Sequence, residues 1–191
     1  MAIVIFSGRN VKEYESKNEE IVKALISDGF ILCDLCLKPM SIHSHYPRGI
    51  KETGEEITIT MVWCSKCRTW HALIPDFLLP NKHYSANEIE GVIIENCESV
   101  PVNQIETDAS ESTVKRWIKH VGESIKRAIS ILKYQFGKER EGISEVAIDT
   151  GPCYSELEDI LEMAPAHLKY SGNKLGLANL WLGKDSKIAY I

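Results

Sequence analysis

Four cysteines form two C-x2-C pairs, and this spacing carries the clearest chemistry in the sequence. Cys33 and Cys36 make the first pair, Cys64 and Cys67 make the second, and 27 residues separate the pairs. A two-residue gap lets a tight turn aim both thiolates at one ion, so two such turns complete a tetrahedral four-sulfur site. Such sites favour zinc, and an iron–sulfur assignment is the competitor. The pattern predicts a structural metal site with Zn2+ as cofactor.

A redox dithiol is the alternative interpretation of the second pair. A redox C-x-x-C begins a helix in an α/β pattern, whereas Cys67 is followed by Arg-Thr-Trp-His and two prolines. The presence of two pairs further favours metal. Three histidines lie nearby in sequence and could replace a cysteine as a metal ligand: His43, His45 and His71. Because four cysteines already suffice, we expect these histidines to support the site, lie on the surface or contact a partner.

The elements around the cysteines predict an α+β protein. The apolar start of the chain predicts a short strand rather than a signal peptide. An S-x-x-E capping box at Ser16 predicts a helix that ends at Gly29. The alternating, β-branched run from Ile57 to Trp63 predicts a strand that leads directly into Cys64.

Helical periodicity dominates after the cysteines. A second capping box at Ser85 opens a helix, and residues 102–107 suggest another. Ser110 or Ser112 can cap a third helix, for which Gly122 offers the end before a fourth begins. We therefore expect a small β zinc ribbon, a mostly α helix-turn-helix domain and C-terminal helices. The predicted units are an N-terminal strand and helix (1–32), the ribbon (33–84), the helix-turn-helix (85–121) and a C-terminal helical region (122–191).

Charge is unevenly distributed along the chain. The 191 residues carry a net charge of −5, which argues against nucleic-acid binding by the whole surface. Residues 85–110 contain six acids and no lysine or arginine, whereas residues 111–141 contain eight bases and four acids. This switch predicts a polarised surface.

The segment after the acidic stretch resembles a DNA-recognition helix. Such a helix needs a small polar first turn, an apolar rear face and bases for phosphates. Val114, Trp117 and Ile118 can form the rear face. The predicted DNA-binding residues are Ser110, Ser112, Thr113, Lys115, Arg116 and Lys119. An amphipathic helix with a solvated basic side is the alternative.

Several stretches together resemble one kind of protein: CDLC, HSHYPR, ITITMVWCSKC, TWHALIPDFLLP, YSANEI and SESTVKRW. This succession, over about residues 30–121, is similar to the N-terminal zinc-ribbon and helix-turn-helix part of insertion-element transposases. It also resembles a transposase-like bacterial family of unknown function. The resemblance implies zinc at Cys33, Cys36, Cys64 and Cys67, and DNA contacts from residues 110–120. It supplies no nuclease domain, because the roughly fifty residues after Glu141 are too few for one.

We therefore expect a transposase-like or transposon-derived DNA-binding protein with a targeting or regulatory role and no catalytic residues. Its expected partners are double-stranded DNA and either a second copy of the chain or a transposition protein. The alternative is a zinc-ribbon protein–protein interaction module that does not bind DNA. A nuclease or thiol-redox enzyme ranks last, because no paired catalytic constellation can be assembled. Six cysteines without a secretory signal indicate the cytoplasm, and no apolar run is long enough for a membrane helix.

Overall fold

The computed structural model describes residues 2–5, 11–33, 35–139, 153–162 and 173–182. The α+β class is confirmed. The strands are β1 (Ala2–Ile5), β2 (Ser41–Gly49), β3 (Glu56–Cys64) and β4 (Thr69–Pro75). The helices are α1 (Val11–Ser27), α2 (Ala86–Cys97), α3 (Glu111–Glu139), α4 (Cys153–Glu162) and α5 (Lys174–Leu182), with one 3-10 turn at Val102–Gln104.

The four strands form one sheet in the order β1-β4-β3-β2. The predicted strand before Cys64 is confirmed as β3, which pairs antiparallel with both β2 and β4. The predicted N-terminal strand is also confirmed, and it runs parallel to β4 at the sheet edge. Gly54 turns the β2–β3 hairpin at φ +66, a conformation that favours glycine. Both cysteine pairs lie at the opposite end of this hairpin.

Helix α1 completes the hydrogen bonding of β3 where β4 does not reach. Strand β4 pairs with β3 only from Thr60 onward, which leaves the backbone of Thr58 at a free edge. The Tyr14 hydroxyl and the Asn18 amide both donate to the Thr58 carbonyl, at 2.9 and 3.1 Å. The Thr58 N–H donates to the Glu15 carboxylate at 2.6 Å. Because unpaired backbone groups are costly once water is excluded, α1 protects this edge.

The start predicted for this helix at Ser16 is wrong. Helix α1 begins at Val11, and Ser16 lies inside it with its hydroxyl donating to the Glu13 carbonyl. The first turns are needed because Tyr14 and Asn18 reach the sheet, and Tyr14 is fully buried. The predicted stop is consistent with the structure, since Gly29 has φ +75 just after the helix.

The β2–β3 hairpin contacts the segment that leads into α2. The buried Arg48 guanidinium donates to the carbonyl oxygens of Leu79, at 2.8 Å, and Lys82. The Lys51 N–H donates to the His83 carbonyl at 2.8 Å. The Glu52 carboxylate accepts from the N–H of the residue that caps α2, at 2.7 Å. These bonds fix the helices against the sheet.

The helices share one apolar core, to which α2, α3, α4 and α5 all contribute. Fully buried members include Ile89, Ile125, Leu132, Leu157 and Leu175. The described elements after Cys97 differ from the prediction in two ways, which concern the segment before α3 and the length of α3 itself.

The helix predicted at residues 102–107 is wrong, because only Val102–Gln104 forms a 3-10 turn. Ile105 is extended there and buries its side chain in the helical core. The helix end predicted at Gly122 is also wrong, since α3 continues to Glu139. Val121 and Ile125 are both buried, so the apolar stripe crosses the glycine without interruption.

Two elements of the structure cross the boundaries of the predicted units. Strand β1, from the first predicted unit, belongs to the sheet of the second, and α3 spans the predicted boundary after residue 121. Among the described residues, no helix is both long and apolar enough to cross a membrane.

The cap predicted at Ser85 is confirmed and gives a stability prediction. Its hydroxyl oxygen accepts the Glu88 N–H at 3.1 Å. Ser85→Ala should lower the free energy of unfolding by about 1 kcal/mol, because a donor in the first turn loses its partner. Ser130→Ala, at an exposed site inside α3, is the matched control and should change stability by less than about 0.5 kcal/mol. Equal effects of the two changes in chemical denaturation would contradict the capping role.

Candidate metal centre

The two cysteine pairs meet at one point. The Sγ atoms of Cys33, Cys36, Cys64 and Cys67 all lie within 4.8 Å of one another. The Cys36 and Cys64 Sγ atoms are 3.6 Å apart, too far for a disulfide. Zn–S bonds of about 2.3 Å in a tetrahedron place sulfur atoms about 3.8 Å apart. The four thiols therefore fit a tetrahedral metal ion and can hold one.

Both cysteine pairs lie in turns of the same construction. In each, the residue after the second cysteine donates its N–H to the carbonyl of the first: Leu37 to Cys33 and Arg68 to Cys64, both at 2.8 Å. Leu37 and Arg68 both have φ 55. This left-handed conformation costs a non-glycine residue about 1 kcal/mol. The surrounding structure must therefore offset this cost in each turn. Each of the two turns thus presents two thiols, and together they supply the four ligands of one site.

The pKa values of Cys33 and Cys67 are shifted in opposite directions. Burial opposes ionisation of Cys33, but the N–H groups of Leu35 and Cys36, together with the Cys64 side chain, lower its pKa to about 7. Hydrogen bonding to Cys36, burial and the remaining thiols raise the pKa of Cys67 to about 12. Negative charge on Cys33 thus opposes ionisation of Cys67. A bound cation favours ionisation of all four.

The centre is built into one of the two apolar clusters on the sheet. Cys33 and Cys64 are buried, whereas Cys36 and Cys67 are half-buried. Val22 of α1, Val62 of β3 and Leu73 of β4 belong to the same cluster. The four cysteines that could hold a metal ion are therefore also part of the apolar core.

The three nearby histidines lie outside this cluster of thiols. Among the described residues, the close group of metal-binding side chains contains the four cysteines and no histidine. His71 is buried, and its Nε2 lies 3.4 Å from the Thr69 hydroxyl, which lies 3.8 Å from the Cys33 Sγ. His71 thus supports the site through Thr69. His43 and His45 are exposed on β2.

The residues predicted to contact DNA lie together at the start of α3. Ser110, Ser112, Lys115, Arg116 and Lys119 are exposed, and Thr113 is half-buried. The Ser110 hydroxyl lies 3.1 Å from that of Ser112 and 3.0 Å from that of Thr113. The structure thus brings all six residues together within about three helical turns, with Ser110 directly before α3 and the other five inside it.

Sequence reasoning missed the other bases of this surface. Lys126 and Arg127 are exposed further along α3. Because the sequence analysis predicted a helix end at Gly122, it placed these two residues on a different helix from Lys119, whereas all three lie on α3. Lys82 is missed as well, and its pKa is lowered by burial and by repulsion from nearby Arg116. The eight bases in residues 111–141 are the sequence feature from which Lys126 and Arg127 could have been predicted.

Comparison with known families matches the middle of the chain. Residues 33–117 match a domain family described as a domain of unknown function, DUF6431. The DUF6431 segment begins at the first cysteine of the metal centre, contains both turns and α2, and ends at Trp117 in α3. No curated protein and no solved structure matches the chain.

Proposed function

We propose that this protein binds double-stranded DNA through α3, and that its four-cysteine centre holds a zinc ion that stabilises the fold. Its role is targeting or regulation, in keeping with its resemblance to the DNA-binding part of transposases. The observation that carries this proposal is an exposed row of bases on a helix whose other side is anchored in the core. We call this row the basic face; it comprises Lys115, Arg116, Lys119, Lys126 and Arg127.

The members of the basic face lie on one side of α3. At 100° per residue its five members fall within an arc of about 120° and extend for about 18 Å along the axis. The acids on or beside the arc are Glu111, whose carboxylate is 2.7 Å from the Lys115 ammonium, and Glu123. The excess of bases gives the face a positive charge within a chain of net charge −5. A local positive surface of this kind is what phosphate contacts require.

The opposite side of α3 is anchored. Val114, Trp117, Val121, Ile125 and Leu132 are all at most 2% exposed. The Trp117 ring also meets the Tyr84 ring edge-on, with centroids 4.8 Å apart. A helix held in this way keeps its exposed side chains in a fixed arrangement, and the major groove of B-DNA is wide enough to admit an α-helix. Ser110, Ser112 and Thr113 are short enough for the first turn to approach closely.

Zinc is the ion we assign to the four-cysteine centre. Four thiolates in tetrahedral reach are its usual structural ligand set, and both turns supply N–H groups close to the sulfurs. About one tightly held zinc per purified chain is expected by elemental analysis. A finding of iron with inorganic sulfide would instead assign an iron–sulfur cluster.

Neutralising the basic face should weaken DNA binding without unfolding the protein. Arg116→Ala combined with Lys119→Ala removes two exposed charges, so the Kd for duplex DNA should rise about tenfold or more at moderate salt. The matched control is Lys17→Ala combined with Lys23→Ala, which removes two exposed bases from α1. Fluorescence anisotropy with a labelled duplex measures both. Equal weakening by the two double variants would contradict binding through the basic face.

A further inference from the structure

A second exposed surface lies beside the metal centre and consists of three aromatic rings. We call it the aromatic platform; it comprises His43, Trp63 and Trp70. The Trp63 and Trp70 centroids are 4.3 Å apart, and the His43 ring meets Trp70 edge-on at 4.0 Å. Trp70 is 41% exposed, Trp63 is half-buried and His43 is exposed. An aromatic surface is thus open to solvent at the end of the sheet that carries the cysteine pairs.

The platform is fixed by the same turn that carries the second cysteine pair. Trp63 and Trp70 are directly paired across β3 and β4. The segment between them contains Cys64 and Cys67, whose Sγ atoms belong to the metal centre. The two indoles are therefore held side by side by strand pairing and by the closed turn. A surface arranged before its partner arrives loses little conformational freedom on binding.

The surroundings of the platform carry positive charge. The turns of the two cysteine pairs carry Lys38, Lys66 and Arg68, and Asp34 is the acid among them. Lys66 and Arg68 are exposed in the turn that joins Trp63 to Trp70. The charge favours an anionic partner, and the rings favour one with flat faces. Single-stranded nucleic acid has both properties.

We propose that the aromatic platform stacks unpaired bases of single-stranded DNA, with Lys66 and Arg68 facing the phosphates. The choice of DNA rests on the proposed function of α3, but the platform is a separate surface with different chemistry. Stacking on an indole tolerates any base, so little sequence preference is expected from it. The protein would then hold duplex DNA on α3 and an unpaired strand on the sheet.

A single-stranded oligothymidine provides the test, because it offers bases for stacking but no duplex groove. Binding to the zinc-loaded full chain should quench tryptophan fluorescence. Trp70→Ala should weaken this binding on the order of tenfold, and Trp70→Phe should weaken it less because an aromatic face remains. The control is Trp117→Phe, since Trp117 is buried in the helical core and should leave oligothymidine binding unchanged. Zinc content and thermal melting verify that each variant is folded.

The outcomes separate this proposal from the one for α3. Trp70→Ala should leave duplex affinity within about twofold of the parent, whereas Arg116→Ala with Lys119→Ala should reduce duplex affinity and spare tryptophan quenching by the oligothymidine. Absence of oligothymidine binding at low salt would overturn the platform proposal while leaving the duplex proposal standing. A folded Trp70→Phe variant and a folded Trp70→Ala variant that both bind like the parent would overturn it as well. Tighter binding of a uridine oligonucleotide of the same length would reassign the platform to RNA.

Discussion

Cys64→Ser should greatly lower the free energy of unfolding, because it removes one of the four thiols of the candidate metal centre. The Cys64 Sγ lies 3.6 Å from that of Cys36 and accepts the Cys67 N–H at 3.4 Å, so its loss affects both turns. Structural zinc contributes about 10–16 kcal/mol to zinc-finger peptides at neutral pH, which rivals the whole stability of a typical domain. We expect the free energy of unfolding to fall by about 5 kcal/mol or more, measured by chemical denaturation.

The matched control for this change is Cys97→Ser. Cys97 is half-buried at the end of α2 and lies outside the thiol cluster. Its replacement should cost about 1 kcal/mol or less, and zinc content should be unaffected. Removal of the metal by a strong chelator should reproduce the Cys64→Ser effect in the parent and add nothing in the variant. If the parent keeps its stability after complete metal removal, the centre has no structural role.

Gly176→Ala, in helix α5, should greatly lower the free energy of unfolding. A Cβ at this position would lie 2.0 Å from the Asp76 carbonyl oxygen and 2.8 Å from the Asn173 side-chain oxygen. The first of these is backbone, which cannot move aside as a side chain can. Helix α5 would have to shift away from Asp76, which is fully buried. We expect a loss of about 3 kcal/mol or more in the free energy of unfolding.

Gly122→Ala provides the control for this prediction, because it makes the same chemical change inside a helix. A Cβ at residue 122 would meet nothing within 4 Å. Alanine is a better helix former than glycine by about 1 kcal/mol, so Gly122→Ala should be neutral or stabilising. Opposite signs for the two glycines in parallel denaturation curves are the expected result. A Gly176→Ala variant as stable as the parent would contradict the close approach of α5 to Asp76.

The convergence of the four cysteines could be predicted because each pair is separated by only two residues. Two C-x2-C pairs and a strand leading into Cys64 predicted which thiols converge. The sequence of the 27 residues between the pairs does not by itself show how the chain brings them together. The structure adds what spacing cannot give: left-handed residues at Leu37 and Arg68 that make the turns alike. The chemical identity of the ion remains a prediction from the ligand set.

Tertiary contacts explain where the helix predictions were wrong. The capping box at Ser16 is a local signal, but α1 extends to Val11 because its first turns reach Thr58 in β3. Gly122 is a weak helix former, but the buried stripe on both sides of it carries α3 onward. Local sequence patterns indicate how well each residue fits into a helix. They do not show which core the helix packs against, and that packing decides where the helix begins and ends.

The last helix gave the weakest sequence signal. Its apolar residues lack amphipathic periodicity, since α5 is buried over several faces: Leu175, Leu177, Ala178 and Asn179 are all at most 6% exposed. A helix surrounded in this way shows no polar side from which its orientation could be predicted. The need for glycine at residue 176 arises from Asp76, a hundred residues away, and could not be seen without the fold.

The salt dependence of duplex DNA binding by the zinc-loaded protein tests the proposed function most directly. Each phosphate neutralised by a base contributes about −0.9 to the slope of log K against log salt concentration. The five members of the basic face predict a slope between about −2 and −5, and Arg116→Ala with Lys119→Ala should make it shallower by about one to two. An absence of duplex binding at low salt, or an affinity that does not change with salt, would contradict the proposal that this protein holds DNA on α3.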